Sequence, residues 1–420
     1  MSNPTPQIRF KEFEERFNFE RLDEVADKLK SYSLSRDVET LESTGYRYIH
    51  YGDIHTKRAS LIIDEQVLPS INKGDYISLQ QGDLVIADAS EDYQGIATPA
   101  LLLNNPSHYV IAGLHTIALR VKKQHSPLYL YYLLNSPVFK RYAYKAGTGM
   151  KVFGISYPNL AKFEHLYPSK NEQEKIGLIL KQLDDTIELY QQLINQRKQF
   201  KKTMLLKMFP QKGERVPKLR FKGFKADWEK ILFGELFKVT SGFAFKHEDY
   251  VNNGVKIVNG EAIQHGKINT NNWNYLPQSF LIKYGDFVLK TDDIVLGLNR
   301  PITNNQLKIA RVPESLNNSL LYQRAGKIIF KTENIDKEFS YQLLENEIFR
   351  FVLKEAVGSD QPFISTTKLD KWSFLYPTDL NEQQKIGDFF KELNATIGLH
   401  EKKLANYQQL KKTLLQKMFI

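Results

Sequence analysis

One stretch of this chain occurs twice. Asn171-Glu172-Gln173-Glu174-Lys175-Ile176-Gly177 returns 210 residues later as Asn381-Glu382-Gln383-Gln384-Lys385-Ile386-Gly387. Lys201-Lys202-Thr203-Met204-Leu205-Leu206-Lys207-Met208-Phe209 returns at the same offset as Lys411-Lys412-Thr413-Leu414-Leu415-Gln416-Lys417-Met418-Phe419. Two matches at one offset exclude chance, so the chain is two copies of one design. A third match, Pro6-Gln7-Ile8-Arg9-Phe10-Lys11-Glu12-Phe13 with Pro217-Lys218-Leu219-Arg220-Phe221-Lys222-Gly223-Phe224, sets a short segment ahead of each copy. The order is segment, globular half, helix, then the same again: a pseudo-symmetric ring of parts. Between the halves, Pro210-Gln211-Lys212-Gly213-Glu214-Arg215-Val216-Pro217 stops a helix with proline and reads as a surface linker.

The repeated stretches carry a heptad seam. From Ile176, positions Leu180, Leu183, Ile187, Tyr190, Ile194, Arg197, Lys201, Met204 and Met208 alternate four and three apart. Their counterparts are Ile386, Phe390, Leu393, Ile397, His400, Leu404, Tyr407, Lys411, Leu414 and Met418. A seam from Ile176 to Met208 makes a rod of about 50 Å, long for a helix inside one globular core. Two such rods separated by a folded half predict an intramolecular antiparallel coiled coil, with the globular halves at its opposite ends. Arg197, Lys201, His400 and Lys411 interrupt the seam, either setting its register or sending their heads to water.

Each globular half reads as mixed α/β. Gly82 to Ala87 and Gly285 to Lys290 look like strands entered from a turn, and Ile111 to Val121 and Lys327 to Lys331 are strand-like. A helix closes each half, because Leu133, Leu134 and Phe139 match Leu343, Leu344 and Phe349. Tyr129, Tyr131 and Tyr132 read as core. Glycine-containing loops follow these helices, Ala146 to Lys151 and Ala356 to Gln361. Such loops serve as helix caps, or bring backbone N–H groups to a phosphate, which makes Thr148, Lys151, Ser359 and Gln361 candidate DNA contacts. The second half is rich in asparagine, mostly as turn residues. Because asparagine can bond adenine and arginine can bond guanine bidentately, Asn299 and Arg300 are candidate base readers.

What is missing narrows the function. There is no cysteine, which excludes disulfides, thiolate catalysis and cysteine-based metal sites. None of the 16 prolines precedes proline or aspartate, so the Asn/Asp-Pro-Pro-aromatic methyltransferase motif and the Pro-Asp nuclease start are both absent. Leu61-Ile62-Ile63-Asp64-Glu65 has no phosphate loop to accompany it and reads as a strand end. The nine histidines form no compact metal-ligand pattern. No catalytic and no metal residue is assigned. A net charge of +10 makes a polyanion a plausible partner. No membrane span or signal peptide is read, so a cytoplasmic location is expected.

The paired Asn-Glu-Gln-x-Lys-Ile-Gly helix starts, each introduced by Tyr-Pro (Tyr167-Pro168, Tyr376-Pro377), resemble the helical regions of type I restriction-modification specificity subunits. The resemblance covers the whole chain. It implies target recognition domains at residues 1–168 and 211–377, and spacer helices at 169–210 and 378–420. It also implies reading of a split, asymmetric DNA target, docking of two methyltransferase subunits, and restriction subunits joining to make the nuclease. S-adenosylmethionine, ATP and magnesium would belong to those partners. A coiled-coil scaffold without DNA binding is the alternative, and it leaves the two diverged halves without a role. A self-contained nuclease or methyltransferase would need the motifs the chain lacks.

Overall fold

The two long helices are held because apolar residues at both ends of the seam enter shared cores. The computed structural model describes residues 6–92, 95–147, 149, 153–211, 213–269, 273–355 and 362–419. The long helices run Lys170–Met208 and Leu380–Lys417. Contacts divide the chain into two units, residues 1–193 with 400–420 and residues 194–399, so each unit holds part of both helices. In the first unit, Ile176, Leu180 and Leu183 share a core with Leu414, Met418 and Phe419, and Tyr190 stacks on Tyr407 at 5.5 Å between ring centroids. In the second, Met208 and Phe209 share a core with Ile386 and Phe390. Low numbers meet high numbers in both, which makes the pairing antiparallel. Leu393 and Ile397 are buried and Ile187 half-buried.

The charges in the seam meet different ends. Arg197 is exposed. Lys411 pairs across the helices with Asp184, which also accepts the Tyr132 hydroxyl proton at 2.8 Å. Lys201 lies 4.0 Å from Glu345, and His400 packs edge-on against Tyr190.

The repeated motif docks each helix start onto its own globular part. Glu172 is fully buried and takes two hydrogen bonds from Arg9, at 2.9 and 2.8 Å. Glu382 takes two from Arg220, at 2.5 and 2.7 Å. Gln173 donates to the Pro168 carbonyl and accepts from Ser126 N; Gln383 donates to the Pro377 carbonyl and accepts from Asp336 N. Ser126 and Asp336 in turn cap the helices that close the globular parts, accepting from Tyr129 N and Phe339 N. Lys175 sits over the Phe10 ring and Lys385 over Phe224. Ile176 and Ile386 enter the cores.

The motif's glycine is there because the backbones nearly touch. A Cβ on Gly387 would lie 2.4 Å from Asp336 Oδ1 and 2.7 Å from Phe339 N. Gly387→Val is therefore expected to destabilise the second unit by about 3 kcal/mol, the upper range for overpacking. A Cβ on Gly398, further along the same helix, would meet nothing within 4 Å, and Gly398→Ala should stabilise by up to about 1 kcal/mol. Thermal unfolding of the two variants checks both signs; equal melting temperatures would remove the packing explanation.

Each unit is built on a sheet covered on both faces. In the first, five strands lie in the order Ala26–Leu29, Thr116–Val121, Asp83–Ala87, Pro99–Leu102, Leu61–Ile62. Alternation along a strand serves two cores: Leu84 and Ile86 face the helices, Val85 and Ala87 the opposite layer. A continuous apolar run is what such a doubly covered strand requires. The second unit repeats this with Phe237–Ser241, Ala325–Phe330, Ile294–Gly297 and Ile309–Arg311, where Ile294 and Leu296 face one core and Val295 the other. A four-stranded sheet forms the second layer in each unit.

Three elements differ from the sequence reading. The counterpart of Gly82 to Ala87 is not Gly285 to Lys290, which forms a 3-10 turn and only a two-residue strand, Val288–Leu289. It is Asp292 to Gly297: Gly82 (φ +87°) and Asp292 (φ +67°) hold the same left-handed position, and Asp83 and Asp293 accept from Gln80 N and Lys290 N. Ile111 to Val121 is two strands of different sheets, turning at His115 (φ +53°). The closing helix is continuous only in the second unit, Lys337–Glu355; in the first, Ser136-Pro137 splits it into Pro127–Leu134 and Pro137–Ala146. Tyr129, Tyr131 and Tyr132 lie in the core.

Candidate nucleic-acid interface

The strand at the middle of each main sheet delivers its next residues to the same place. In the first unit Ala89–Ser90 follows Asp83–Ala87 and pairs with Phe153–Gly154; Asp88 N donates to the His115 carbonyl, and Ile155 N to the Asp88 carbonyl. In the second, Asn299 bridges to Phe363, Leu298 N donates to the Arg324 carbonyl, Ile364 N to the Leu298 carbonyl, and Arg300 N to the Pro362 carbonyl. The partner strand Phe153–Gly154 and the residues around Phe363 follow directly on the two glycine-containing loops. Thr148, Lys151, Ser359 and Gln361 themselves lie outside the described residues.

With the frame alike, the side chains differ. Beside the second unit's sheet end stand Arg300 and Arg324, both exposed, and Lys308, half-buried at the start of Ile309–Arg311. Burial lowers the Lys308 pKa from the usual lysine value, Glu261 opposes the shift, and the Arg300 charge adds to it. In the first unit the matching positions hold Ala89, Ser90, Thr98 and His115, and imidazoles gather nearby. Tyr51 packs against His50 (4.5 Å), His115 (5.3 Å) and His55 (5.8 Å). His55 Nε2 donates to the Ala89 carbonyl, and His115 Nδ1 lies 3.2 Å from Asp88. Burial raises the Asp88 carboxyl above its usual range while His115 holds it down. Lys140 reaches under this end to the Ile96 carbonyl and Thr98 Oγ1, and burial brings it down to about 8.

Asparagine enrichment is largely turn chemistry. Asn304 (φ +50°) and Asn305 (φ +58°) form the two-residue turn of the Ile302–Leu307 hairpin, where both positions need positive φ. Asn259 Oδ1 accepts from Glu261 N and Ala262 N, and Asn317 Oδ1 from Thr291 N. Asn299 and Arg300, which residue type alone singles out, do sit at the sheet end. Sequence alone does not point to Arg324, Lys308, His115 or Phe363, since only strand pairing brings them there. The repeat offset is the one signal that touches them, because His115 and Arg324 are nearly 210 apart. Among the described residues no three His, Asp or Glu side chains group as a metal site.

Two copies of one α/β frame, alike in scaffold and unlike at one sheet end, define a duplicated recognition module. A family model described as the type I restriction modification DNA specificity domain matches residues 14–199 and again 225–409. The chain belongs to this family of specificity subunits and carries its domain twice. The type I restriction enzyme MjaVIII specificity subunit of Methanocaldococcus jannaschii is 33% identical over 295 residues, 69% of this chain and 68% of that protein. The EcoAI specificity subunit of Escherichia coli is 29% identical over 172 residues, 41% of this chain and 29% of that one. Among solved structures, the type I restriction-modification S subunit from M. genitalium superposes with a TM-score of 0.65 at 17% identity over 99% of both chains. A chain from a type I complex-assembly structure gives 0.52 at 12% identity, covering 96% of this chain and 97% of that one. Both share the fold.

Proposed function

We propose that this chain reads a split, asymmetric DNA sequence for a type I restriction-modification complex, one part with each unit, and leaves methylation and cleavage to its partners. The observation that carries the reading is the matched sheet end: one backbone frame, with Ala89, Ser90 and His115 in one unit and Asn299, Arg300 and Arg324 in the other. A duplicated scaffold with unlike side chains at one place is suited to two different sequences. The long helices are the surface for two methyltransferase subunits. Leu178 and Leu189 on the first helix, and Leu399 and Leu410 on the second, are exposed and eleven residues apart, close to three turns and so on one face. S-adenosylmethionine, ATP and magnesium belong on this reading to the methyltransferase and restriction subunits.

No helix among the described residues is long and apolar enough to cross a membrane; with DNA as the target, the cytoplasm is where the complex works. The test is selection from a random duplex library by the chain bound to its methyltransferase partner, with the chain alone assayed for turnover. The expected result is a two-part consensus and no methylation or cutting without partners. A coiled-coil scaffold would select no sequence, and turnover by a partner-free preparation would overturn the division of labour.

A further inference from the structure

We propose that Arg300 reads a guanine in the half-site taken by the second unit, its guanidinium forking onto the O6 and N7 edge in the major groove. This rests on the DNA-reading role just argued and names one base contact within it.

The backbone at this position is unusual. Arg300 has φ +45°, a conformation that L-residues with long side chains rarely adopt, and it precedes Pro301, which favours extended backbone at the residue before it. Such strain persists only where the surroundings over-determine it. Here they do: Arg300 N donates to the Pro362 carbonyl at 3.0 Å, Asn299 bridges to Phe363, and Lys308 N donates to the Pro301 carbonyl at 2.7 Å. The hairpin Ile302–Leu307 with its asparagine turn closes the loop behind it. The backbone here is therefore pinned on both sides of Arg300, and it leaves this one side chain exposed at the sheet end.

That side chain is exposed and, among the described residues, makes no hydrogen bond or ion pair. The planar five-donor fork has no acceptor among the described residues, in a setting already positive from Lys308 and Arg324. Both neighbours favour a polyanion, and a forked donor favours the paired acceptors that guanine alone offers in the major groove. Phe363, bridged to Asn299, adds a ring 58% exposed beside it, an apolar surface for the flank of a base. In the first unit the matching residue is Ser90, which is buried, so the guanine contact belongs to one half-site only.

The experiment uses the full chain in its methyltransferase complex, with wild type, Arg300→Gly and Arg300→Lys selecting from a randomised duplex library at two salt concentrations. Glycine relieves the positive φ, so that variant keeps the fold; lysine keeps the charge without the planar fork. Expected is a loss of tenfold or more in guanine preference at one position of one half-site in Arg300→Gly, a smaller loss there in Arg300→Lys, and an unchanged second half-site. A wild-type consensus whose guanines are unmoved in Arg300→Gly overturns this assignment alone. So does an even loss over all sequences with a shallower salt dependence, which marks a phosphate contact. A wild-type complex that selects no sequence overturns the DNA-reading role and this contact with it.

Discussion

Arg220→Ala will lower the stability of the second unit by about 3 kcal/mol, the low end of what breaking a buried ion pair costs. Glu382 is 1% exposed, and among the described residues its side chain accepts hydrogen bonds from Arg220 and from Trp228 Nε1 at 3.4 Å. Removing the guanidinium leaves a carboxylate out of water in the first turn of a long helix. The helix dipole there offsets part of the penalty, which is why the low end applies. Lys218→Ala, which removes an exposed, solvent-screened pair with Glu214, should leave the midpoint nearly unchanged. Urea unfolding followed by tryptophan fluorescence measures this directly, because Trp228, Trp273 and Trp372 all lie in the second unit. If both variants shift the midpoint equally, the helix start is not held by this pair. Arg220→Met with Glu382→Leu should recover most of the loss, since an apolar pair carries no stranded charge.

Replacing Ile231 to Lys368 with the corresponding region of a relative will change one half-site completely and leave the other as it was. The exchanged segment carries the sheet end with Asn299, Arg300, Lys308 and Arg324. The lock of Arg220 on Glu382 and the hold of Gln383 on the Pro377 carbonyl lie outside it. Several contacts cross the boundary, among them the stacking of Phe339 on Phe209 and the hold on the helix start, where Asp336 N donates to Gln383 and Asp336 lies against Gly387. The donor must therefore bring a capping residue at that position. Methylation mapping of the host genome reads the outcome, and a change in both half-sites, or in neither, refutes modular reading.

The large-scale plan was legible because it is written in periods. A repeat of 210 residues and a seam of fours and threes are both visible without coordinates, and they point to the two frames and the paired helices. The reason for the repeated Asn-Glu-Gln-x-Lys-Ile-Gly was not visible. Arg9 is 163 residues from Glu172 and Arg220 is 162 from Glu382, so no local pattern joins them, although both members of each pair recur together. The strand mismatch has a plain cause: Gly-Asp at Gly285 looks like Gly-Asp at Gly82, while the true counterpart fills the left-handed position with Asp292. Aspartate tolerates that conformation, and residue identity misled where backbone conformation was conserved. At the candidate site, residue type singled out Asn299 and Arg300. Their neighbours came only from strand pairing, because His115 and Arg324 lie well over twenty residues from the segments they meet.

The backbone near residue 8 meets that near residue 417, where Ile8 N donates to the Lys417 carbonyl at 3.1 Å. Leu219 N donates to the Lys207 carbonyl at 2.8 Å in the same way. Covalent continuity through residues 210–217 exists at one of these junctions, and the other makes the same hydrogen bond without it. A circular permutant opened at Gly213, with Phe419 joined to Pro6 by a linker of similar length, keeps every contact described for both units. The order in which the two recognition modules are synthesised is then free to change while the folded molecule stays the same, and a gene could exchange them by moving its start.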